Sequence, residues 1–345
     1  MDDASKLRAD VSALATPEGR MVGTAGHDAA RDFLLDRISA LDLRPYQGDS
    51  AELSYEGSGK RFSNLIAVVP GEDRSLAPIL IGAHYDSVIR SYCADDNAAA
   101  VAIALLAAEK LTDSGLQRDV VIALFDAEEP PYFHSDNMGS KRFYREQRRP
   151  VGFHVALIMD LVGHDVELPI PGFEAASGQM SGLLFLTGAE SHAALPAIVE
   201  GNLPGPELPL VAALNRNVGD MSDHHIFRLS AVPYLFLSCG RWQHYHQVTD
   251  TPDRLNYDKM ARICEYLVQL CQTLDTTELT VDAQATSRES IENGVVDTTS
   301  LEIELVRRAF GSALESFLRA IGMATLASRR DLDQMAARLQ GFFEL

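Results

Sequence analysis

The sequence predicts an α/β fold of three layers, helix–sheet–helix, around a mixed, mostly parallel and twisted sheet, with a helical extension at its C-terminal end. Two observations predict it. Short apolar runs alternate along the chain with stretches of helical periodicity. These runs are apolar throughout, which is typical of strands buried on both faces of a sheet. A composition of 46% hydrophobic and 23% charged residues over 345 positions is typical of a globular protein with a large core.

The elements follow in chain order. Residues 1–45 are predicted to be helical, because apolar residues between Asp28 and Ile38 recur at helical spacing. The predicted strands cover residues 64–70, 78–84, 119–125, 154–162, 183–187 and 232–237. The predicted helices cover residues 97–111, 138–147, 190–200 and 258–274.

The last third of the chain adds three segments of different character. Residues 201–223 contain several prolines and no clear periodicity, which predicts a long loop, and such loops are often functional. Residues 276–299 are polar and predict a linker or surface excursion. Residues 300–345 predict two amphipathic helices that pack on a main domain of residues 1–275, with a dimer interface or a lid as alternatives. The two helices are predicted at residues 299–323 and 329–343.

Charge and cysteine content exclude several classes of partner. Thirty Lys and Arg against 49 Asp and Glu give a formal charge of −19, which argues against binding to nucleic acid or to an anionic membrane surface. The four cysteines form no CxxC pair, as expected of reduced thiols. No apolar stretch is long enough to span a bilayer, and the first residues do not resemble a secretory signal. We therefore expect a soluble cytoplasmic protein.

Histidine and acidic residues follow the ends of successive predicted strands. They are His84, Asp86, Glu128, Glu129 and Asp160. Ligands of open α/β sheets bind at that edge, so these side chains are predicted to form one site.

Each motif has a second reading. In GAHYDSV, residues 82–88, alternation places His84 and Asp86 on one face, so the carboxylate could orient a metal-binding imidazole, or the histidine could lie in a surface loop. In CADDN, either Asp95 or Asp96 could simply cap the next helix. Asp160, within an apolar run, needs either a cation or a hydrogen-bonding partner.

Histidines cluster again near the end of the last predicted strand. WQHYHQVTDT, residues 242–251, contains His244 and His246, and MSDHHIF, residues 221–227, contains an Asp-His-His run, although exposed histidines in turns are the alternative. Imidazole and carboxylate ligands together suit zinc. A carboxylate shared by two zinc ions would explain why so many acids are tolerated. The chain has no HExxH, GxSxG, Walker or GxGxxG motif, and a glycosidase using two glutamates would leave the histidines unemployed.

Five ordered motifs resemble those of the co-catalytic zinc aminopeptidases: HYDS, ADDN, DAEE followed by MGS, MDLVG, and HQVTDT. This is the family of bacterial leucyl aminopeptidases and aminopeptidase Y, related to glutamate carboxypeptidase II, the transferrin receptor and the glutaminyl cyclases. The resemblance spans roughly residues 20–274. It implies a zinc exopeptidase fold for residues 1–275 and a peptide or small amide as substrate. Tyr92-Cys93 stands where the family often has Pro-Gly.

The resemblance also implies a role for individual residues. One zinc would be held by His84 and Asp160 and the other by Glu129 and His246, with Asp96 bridging the two ions. The implied catalytic residues are Glu128, as general base, and Asp86, behind His84. Asp250 is expected to support the region of His246. Further candidates for substrate contact or support are Asp223, His224 and Tyr245.

Two other functions stay open at this point. A glutaminyl cyclase would use a single zinc, held by Asp96, Glu129 and His246, with the other acids of the site moving protons. A catalytically inactive module of the transferrin-receptor kind would lack some of the ligands, and all of them are present here. A homo-oligomer formed through the C-terminal helices is a further expectation.

Overall fold

A nine-stranded sheet forms the middle of the molecule in a computed structural model, which describes residues 1–173, 180–279 and 287–343. The strands are β1 Arg44–Pro45, β2 Glu52–Gly57, β3 Lys60–Val69, β4 Ile79–His84, β5 Val120–Phe125, β6 Val155–Met159, β7 Leu184–Thr187, β8 Leu210–Ala212 and β9 Tyr234–Ser238. Along the sheet they run in the order β1-β3-β5-β4-β6-β9-β7-β8, and β2 pairs with the first part of β3.

The four central strands run parallel to one another. β4 pairs in parallel with both β5 and β6, and β6 pairs in parallel with β9. On either side, β3 is antiparallel to β5 and β7 is antiparallel to β9, which makes the sheet mixed. Because the parallel strands share one direction, the loops after β4, β5, β6 and β9 leave the sheet at one edge.

Twelve α-helices are present in the described ranges. They are α1 Asp3–Leu14, α2 Ala25–Ala40, α3 Ala100–Leu111, α4 Gly139–Arg142, α5 Leu195–Gly201, α6 Asn215–Val218, α7 His224–Leu229, α8 Tyr257–Thr276, α9 Arg288–Asn293, α10 Thr299–Phe310, α11 Leu314–Ala320 and α12 Arg329–Phe343. Short π-helical segments cover Ala94–Ala99 and Phe143–Gln147, and 3₁₀ turns cover Ala189–Ser191, Pro252–Arg254 and Gly311–Ala313. In the described ranges, none of these helices combines the length and the apolar character that a bilayer crossing requires.

The sheet is covered on both faces, which confirms the three-layer fold. Alternate residues of β3 point to opposite sides: Ala67 and Val69 join the apolar cluster shared with α1, α3 and α8, whereas Ile66 and Val68 join a second cluster. The second cluster is rich in aromatic rings from α7 and from the loops around α4. Helix α3 is buried over almost its entire length, because its small alanine side chains let it lie close to its neighbours.

Several predicted boundaries differ from the structure. The helical prediction for residues 1–45 corresponds to α1 and α2, but β1 and β2 follow them, although the sequence predicts no strand before residue 64. The side chains of β2 are mostly partly exposed, so this edge strand lacks the continuous apolar run that predicts a buried one. The predicted loop at residues 201–223 contains β8 and α6. The helix predicted at 299–323 ends at Gly311, which adopts a positive φ of 47°.

The C-terminal helices belong to the same apolar core as the main domain. Helix α10 packs on β8, and Leu305 and Val306 are buried there. Of the predicted linker at 276–299, residues 280–286 lie outside the described residues. Its later part forms α9 and then contacts the turn after β7, where Val295 N–H donates to the Glu190 carbonyl at 2.8 Å. The extension is therefore packed as core on its own chain.

A pH-dependent stability follows from His154, which is buried at the start of β6. Its Nε2 lies 3.1 Å from the Leu274 carbonyl and 2.9 Å from the Thr277 carbonyl. Burial, aided by Arg118, lowers the pKa of His154 to about 4 from an ordinary value of 6.5. Between these two pH values His154 is protonated in the unfolded chain and neutral in the folded protein. The free energy of unfolding is therefore highest above pH 6.5 and decreases as the pH falls from 6.5 towards 4. Urea unfolding of His154→Gln across this window is expected to show a smaller loss than the original protein; equal losses would contradict the assignment.

Candidate metal centre

The carboxyl edge of the sheet brings the predicted ligands together. His84 is the last residue of β4, and Asp160 comes directly after β6. Glu128 and Glu129 follow β5 after Ala127, which bends the chain through a positive φ of 54°. His246 comes from the loop after β9. Parallel strand direction thus assembles side chains that lie far apart in the sequence.

Five of these side chains form two groups that share one carboxylate. In the first, His84 Nε2 lies 3.3 Å from Asp96 Oδ1 and 3.7 Å from Asp160 Oδ1. In the second, His246 Nε2 lies 3.1 Å from Asp96 Oδ2 and 3.2 Å from Glu129 Oε2. Within each group the donor atoms lie within 4.8 Å of one another, so either could converge on one metal ion.

The donor atoms fit a metal because the described residues offer them no other partner. Within that part of the chain, each of the five residues has a buried nitrogen or oxygen that makes no hydrogen bond: His84 Nε2, Asp96 Oδ2, Glu129 Oε1, Asp160 Oδ1 and His246 Nε2. A buried polar atom without a partner is costly, and a cation satisfies histidine nitrogen and carboxylate oxygen together. Two imidazoles and three carboxylates are a donor set suited to zinc.

Repulsion among the buried carboxylates also indicates that the site binds a cation. Burial, with Asp96 close by, raises the pKa of Glu129 to about 8, although His246 opposes the shift. Burial also raises the pKa of Glu128 well above its ordinary value, and Asp160 adds to the shift. Carboxylates that resist ionisation in this way become stable anions beside a cation.

Asp86 fixes both the imidazole and the glutamates. Its Oδ1 lies 3.3 Å from His84 Nδ1, so it can hold the ring with Nε2 directed at the metal groups. Its two oxygens also accept the N–H groups of Glu128 and Glu129, each at 3.1 Å. One buried carboxylate therefore sets the positions of His84 and of the two glutamates.

Asp96, the predicted bridging carboxylate, is held by its neighbours. Asp250 accepts hydrogen bonds from Asp95 N–H at 2.9 Å and from Asp96 N–H at 3.2 Å. Burial and the adjacent Asp95 raise the pKa of Asp250 to about 7. Asp95 faces away from the metal groups and accepts Gly163 N–H at 2.6 Å, and a Cβ on Gly163 would lie 2.8 Å from that oxygen. The two neighbouring aspartates thus have separate tasks, one as a predicted ligand and the other as a brace.

Aromatic stacking holds the loop that carries His246. Trp242 stacks on His164 at 4.6 Å, and His164 Nδ1 lies 2.6 Å from Asp95 Oδ2. Tyr245 stacks on His246 at 3.7 Å, and the Arg241 guanidinium lies 4.9 Å from the centre of the Tyr245 ring. Tyr245 therefore lies beside the site, as the sequence predicts.

The remaining two candidates occupy different surroundings. Asp223 is fully buried, and neither carboxylate oxygen has a hydrogen-bonding partner among the described residues. Burial raises its pKa to about 7, while His84 opposes the shift. His224 points into the loop instead: its Nε2 lies 3.1 Å from Asn215 Oδ1, and its ring stacks 4.2 Å from that of Phe236. Burial lowers the pKa of His224 to about 3, so it is a neutral ring packed behind the site.

Arg20 organises the site, and sequence reasoning missed it. Its guanidinium is buried and donates to the carbonyls of Tyr85, Tyr92 and Cys93 at 2.8 to 2.9 Å. A fourth contact reaches the Asp96 carbonyl at 3.3 Å. Arg20 therefore ties the turn after β4 to the segment that carries the bridging carboxylate. The surrounding TPEGRMVG offers no periodicity or motif that would single out this residue.

Asp126, the third acid of the DAEE motif, supports the frame. His27 Nε2 lies 2.8 Å from Asp126 Oδ1, and Ser63 N–H donates to Oδ2 at 2.7 Å. The His27 ring in turn stacks on Tyr85 at 5.2 Å. These contacts lock the end of β5 to β3 and α2, at the point from which the two glutamates begin.

A cavity of about 560 Å³ opens beside the ligand groups. Its wall includes four of the five predicted ligands, together with Glu128 and Tyr245. Among the described residues, the rest of the cavity wall is mostly apolar, and part of it comes from α10, α11 and α12. The cavity therefore combines the polar ligand groups with a mostly apolar chamber.

Residues 64–271, more than half of the chain, match the model of peptidase family M28. The chain belongs to this family. Membership supports a zinc-dependent hydrolase of the peptidase type, and the donor set of the chain fits zinc. The matched region contains all five predicted ligands as well as Asp86 and Glu128, whereas α10–α12 lie outside it.

The chain is also similar to one relative and to two solved structures. It is 30% identical over 233 residues to the uncharacterized protein YfbL of Escherichia coli strain K12, covering 62% of this chain and 71% of YfbL. A Zn-dependent exopeptidase from Parabacteroides distasonis superposes with a TM-score of 0.61 at 17% identity, over 78% of this chain and 97% of the other. The glutaminyl cyclase of Porphyromonas gingivalis superposes with a TM-score of 0.61 at 18% identity, over 78% and 98%. At this identity the two structures establish the common fold.

Replacing Arg20 by lysine tests its bracing role. The single ammonium of lysine cannot reach the carbonyls that the guanidinium serves, so buried acceptors lose their donor and the free energy of unfolding is expected to fall by at least about 2 kcal/mol. Arg31→Lys is the matched control, because among the described residues Arg31 pairs with Asp28 and Asp32, which are both exposed, so a change within about 0.5 kcal/mol is expected there. Urea unfolding at one fixed zinc concentration measures both. Equal effects of the two substitutions would remove Arg20 from this role.

Proposed function

We propose that this protein is a zinc aminopeptidase that hydrolyses the N-terminal peptide bond of its substrate at a site for two zinc ions. One observation carries the proposal: two groups of buried, otherwise unpartnered donor atoms share Asp96. A carboxylate with one oxygen towards each group is what a bridging ligand requires. A single-ion site would leave the donors of the other group buried without a partner.

Glu128 is suited to be the general base. It is buried, its Oε2 lies 3.8 Å from His84 Nε2, and it belongs to neither ligand group. The zinc ions, when bound, would acidify a water and polarise the scissile carbonyl. Glu128 then accepts the proton of that water and delivers it to the departing amine. Beside the zinc ions its carboxylate would be ionised, as accepting a proton requires.

The adjacent Glu129 has a different task. Its Oε2 lies 3.2 Å from His246 Nε2, in the second ligand group. Asp86 binds the backbone N–H groups of both glutamates, so it fixes their spacing. The two neighbouring side chains therefore divide metal binding and proton transfer between them.

A glutaminyl cyclase is the second candidate, and Asp223 is the observation that favours it. This acid is buried beside the site without a hydrogen-bonding partner, and its raised pKa would allow it to take part in proton transfer. The likeness of fold to the Porphyromonas gingivalis cyclase is consistent with this candidate. The complete first group around His84 and Asp160 favours the peptidase.

Replacing Glu128 or Glu129 by glutamine distinguishes the general base from the metal ligand. Glu128→Gln is expected to retain zinc and to lose about 100-fold or more in kcat, because the amide cannot accept the proton. Glu129→Gln is expected to lose zinc, because the amide is a poorer ligand. Zinc analysis of the purified variants and hydrolysis of leucyl-nitroanilide measure both effects. An active Glu128→Gln variant would remove Glu128 from the role of base.

His84→Ala separates the two candidate functions. If the site holds two zinc ions, the variant should bind about one ion fewer per chain, since the first group loses its only imidazole. A one-zinc cyclase of the second group should keep its metal. The original protein is assayed in parallel on leucyl-nitroanilide and on a peptide with N-terminal glutamine. Release of nitroaniline supports the aminopeptidase, whereas ring closure without hydrolysis and unchanged zinc in His84→Ala would replace it with the cyclase.

A further inference from the structure

The cavity beside the metal centre is larger than a small side chain requires. An apolar cavity of about 150 Å³ already accommodates benzene, whereas this one measures about 560 Å³. Apart from the ligands, Glu128 and a few other polar residues, the described residues of its wall are mostly apolar. A ligand group that fills the chamber would remove apolar surface from water, which favours binding in proportion to the area buried.

The C-terminal helices form part of the wall of this chamber. They contribute apolar side chains that are otherwise buried, and these are Val306 and Phe310 of α10, Phe317 of α11, and Leu332 and Met335 of α12. Strands β7 and β8 add Phe185 and Val211 to the same wall. Since α10–α12 lie outside the part of the chain that matches the peptidase family, this wall is a feature that the family match does not account for.

The wall is fixed in place by contacts within the chain. Arg329, at the start of α12, pairs with Glu302 of α10 at 2.6 Å. Further along α12, Asp333 accepts from Asn217 Nδ2 of α6 at 3.1 Å. The rings of Phe310 and Phe317 stack at 3.9 Å across the turn between α10 and α11. A wall held in place by these contacts can limit the length of the group that enters the chamber.

We propose that α10–α12 determine substrate specificity, and that the enzyme selects N-terminal residues with long, apolar, unbranched or aromatic side chains that extend from the metal centre to this wall. The reaction itself rests on the proposed function, but the chamber and its wall do not. Among the described residues of α10–α12 that line the chamber, Glu302 is the charged one, and it is already paired with Arg329. These helices therefore offer no unpaired charge to a polar substrate side chain. Burial of each additional methylene there raises affinity about fourfold.

Two neighbouring alanines of α12 provide a matched pair of variants. Ala336 lines the chamber, whereas Ala337 is exposed to solvent. Ala336→Phe should fill part of the chamber and shorten the longest side chain that fits. Ala337→Phe adds the same ring to the outer face and should leave the preference unchanged. Met335→Ala, in the same wall, should enlarge the chamber and move the preference to longer chains, so the test does not depend on one variant folding.

The zinc-loaded enzyme and its variants are assayed on a series of straight-chain 2-aminoacyl nitroanilides, from a methyl to an octyl side chain. In the original protein, kcat/KM should rise about threefold to fourfold per methylene until the chamber is full. Ala336→Phe should lose about tenfold or more on the longest substrates while the alanyl substrate changes by less than about twofold. A preference for the methyl side chain, or an equal loss on all substrates in Ala336→Phe, would overturn the proposal.

Binding of straight-chain alkylamines, from butylamine to decylamine, provides a readout without turnover. Isothermal titration calorimetry should show affinity increasing with chain length in the original protein and in Ala337→Phe, with the increase cut short in Ala336→Phe. If no aminoacyl substrate is cleaved but binding shows this pattern, the aminopeptidase proposal is wrong and the role of the chamber in selecting side chains is supported. If substrates are cleaved but neither activity nor binding depends on chain length, the role of the chamber is wrong and the aminopeptidase proposal is supported.

Discussion

The burial of several carboxylates at one edge of the sheet is the constraint on which the rest of the structure depends. Asp96, Glu128, Glu129 and Asp160 are all buried within a few ångströms of two imidazoles. Without a cation, such a cluster would be held together against its own repulsion. Its donor atoms are left unpaired by the protein, so the fold supplies positions and leaves the neutralising charge to a metal.

The frame around the site explains how this cluster keeps its geometry. Asp86, Asp250 and Arg20 bind backbone groups rather than the metal positions, and each connects segments that are distant in sequence. Asp126 does the same at the end of β5. Because these contacts fix the main chain, the ligand side chains can leave their own donor atoms free. The precision of the site therefore comes from residues that do not bind metal.

The C-terminal helices connect the site to substrate choice. Helix α10 packs on the edge strand β8, and the apolar faces of the three helices continue from the core into the cavity wall. The predicted ligands are in the part of the chain that matches the family, and part of the cavity wall comes from outside it. This division places reaction type and side-chain preference on different segments of one chain.

The sequence by itself determined the layers of the fold and the identity of the candidate site. Continuous apolar runs predicted the buried central strands, and acids and histidines after their ends predicted one shared edge, since strand direction places those ends together. Only the tertiary structure decided what depends on long-range contacts. The edge strand β2 pairs with β3 without a strong apolar signal, Asp95 and Asp96 differ only in which partners surround them, and Arg20 acts through carbonyls that any sequence would carry. The chamber wall likewise depends on how α10–α12 meet β8, which no local pattern encodes.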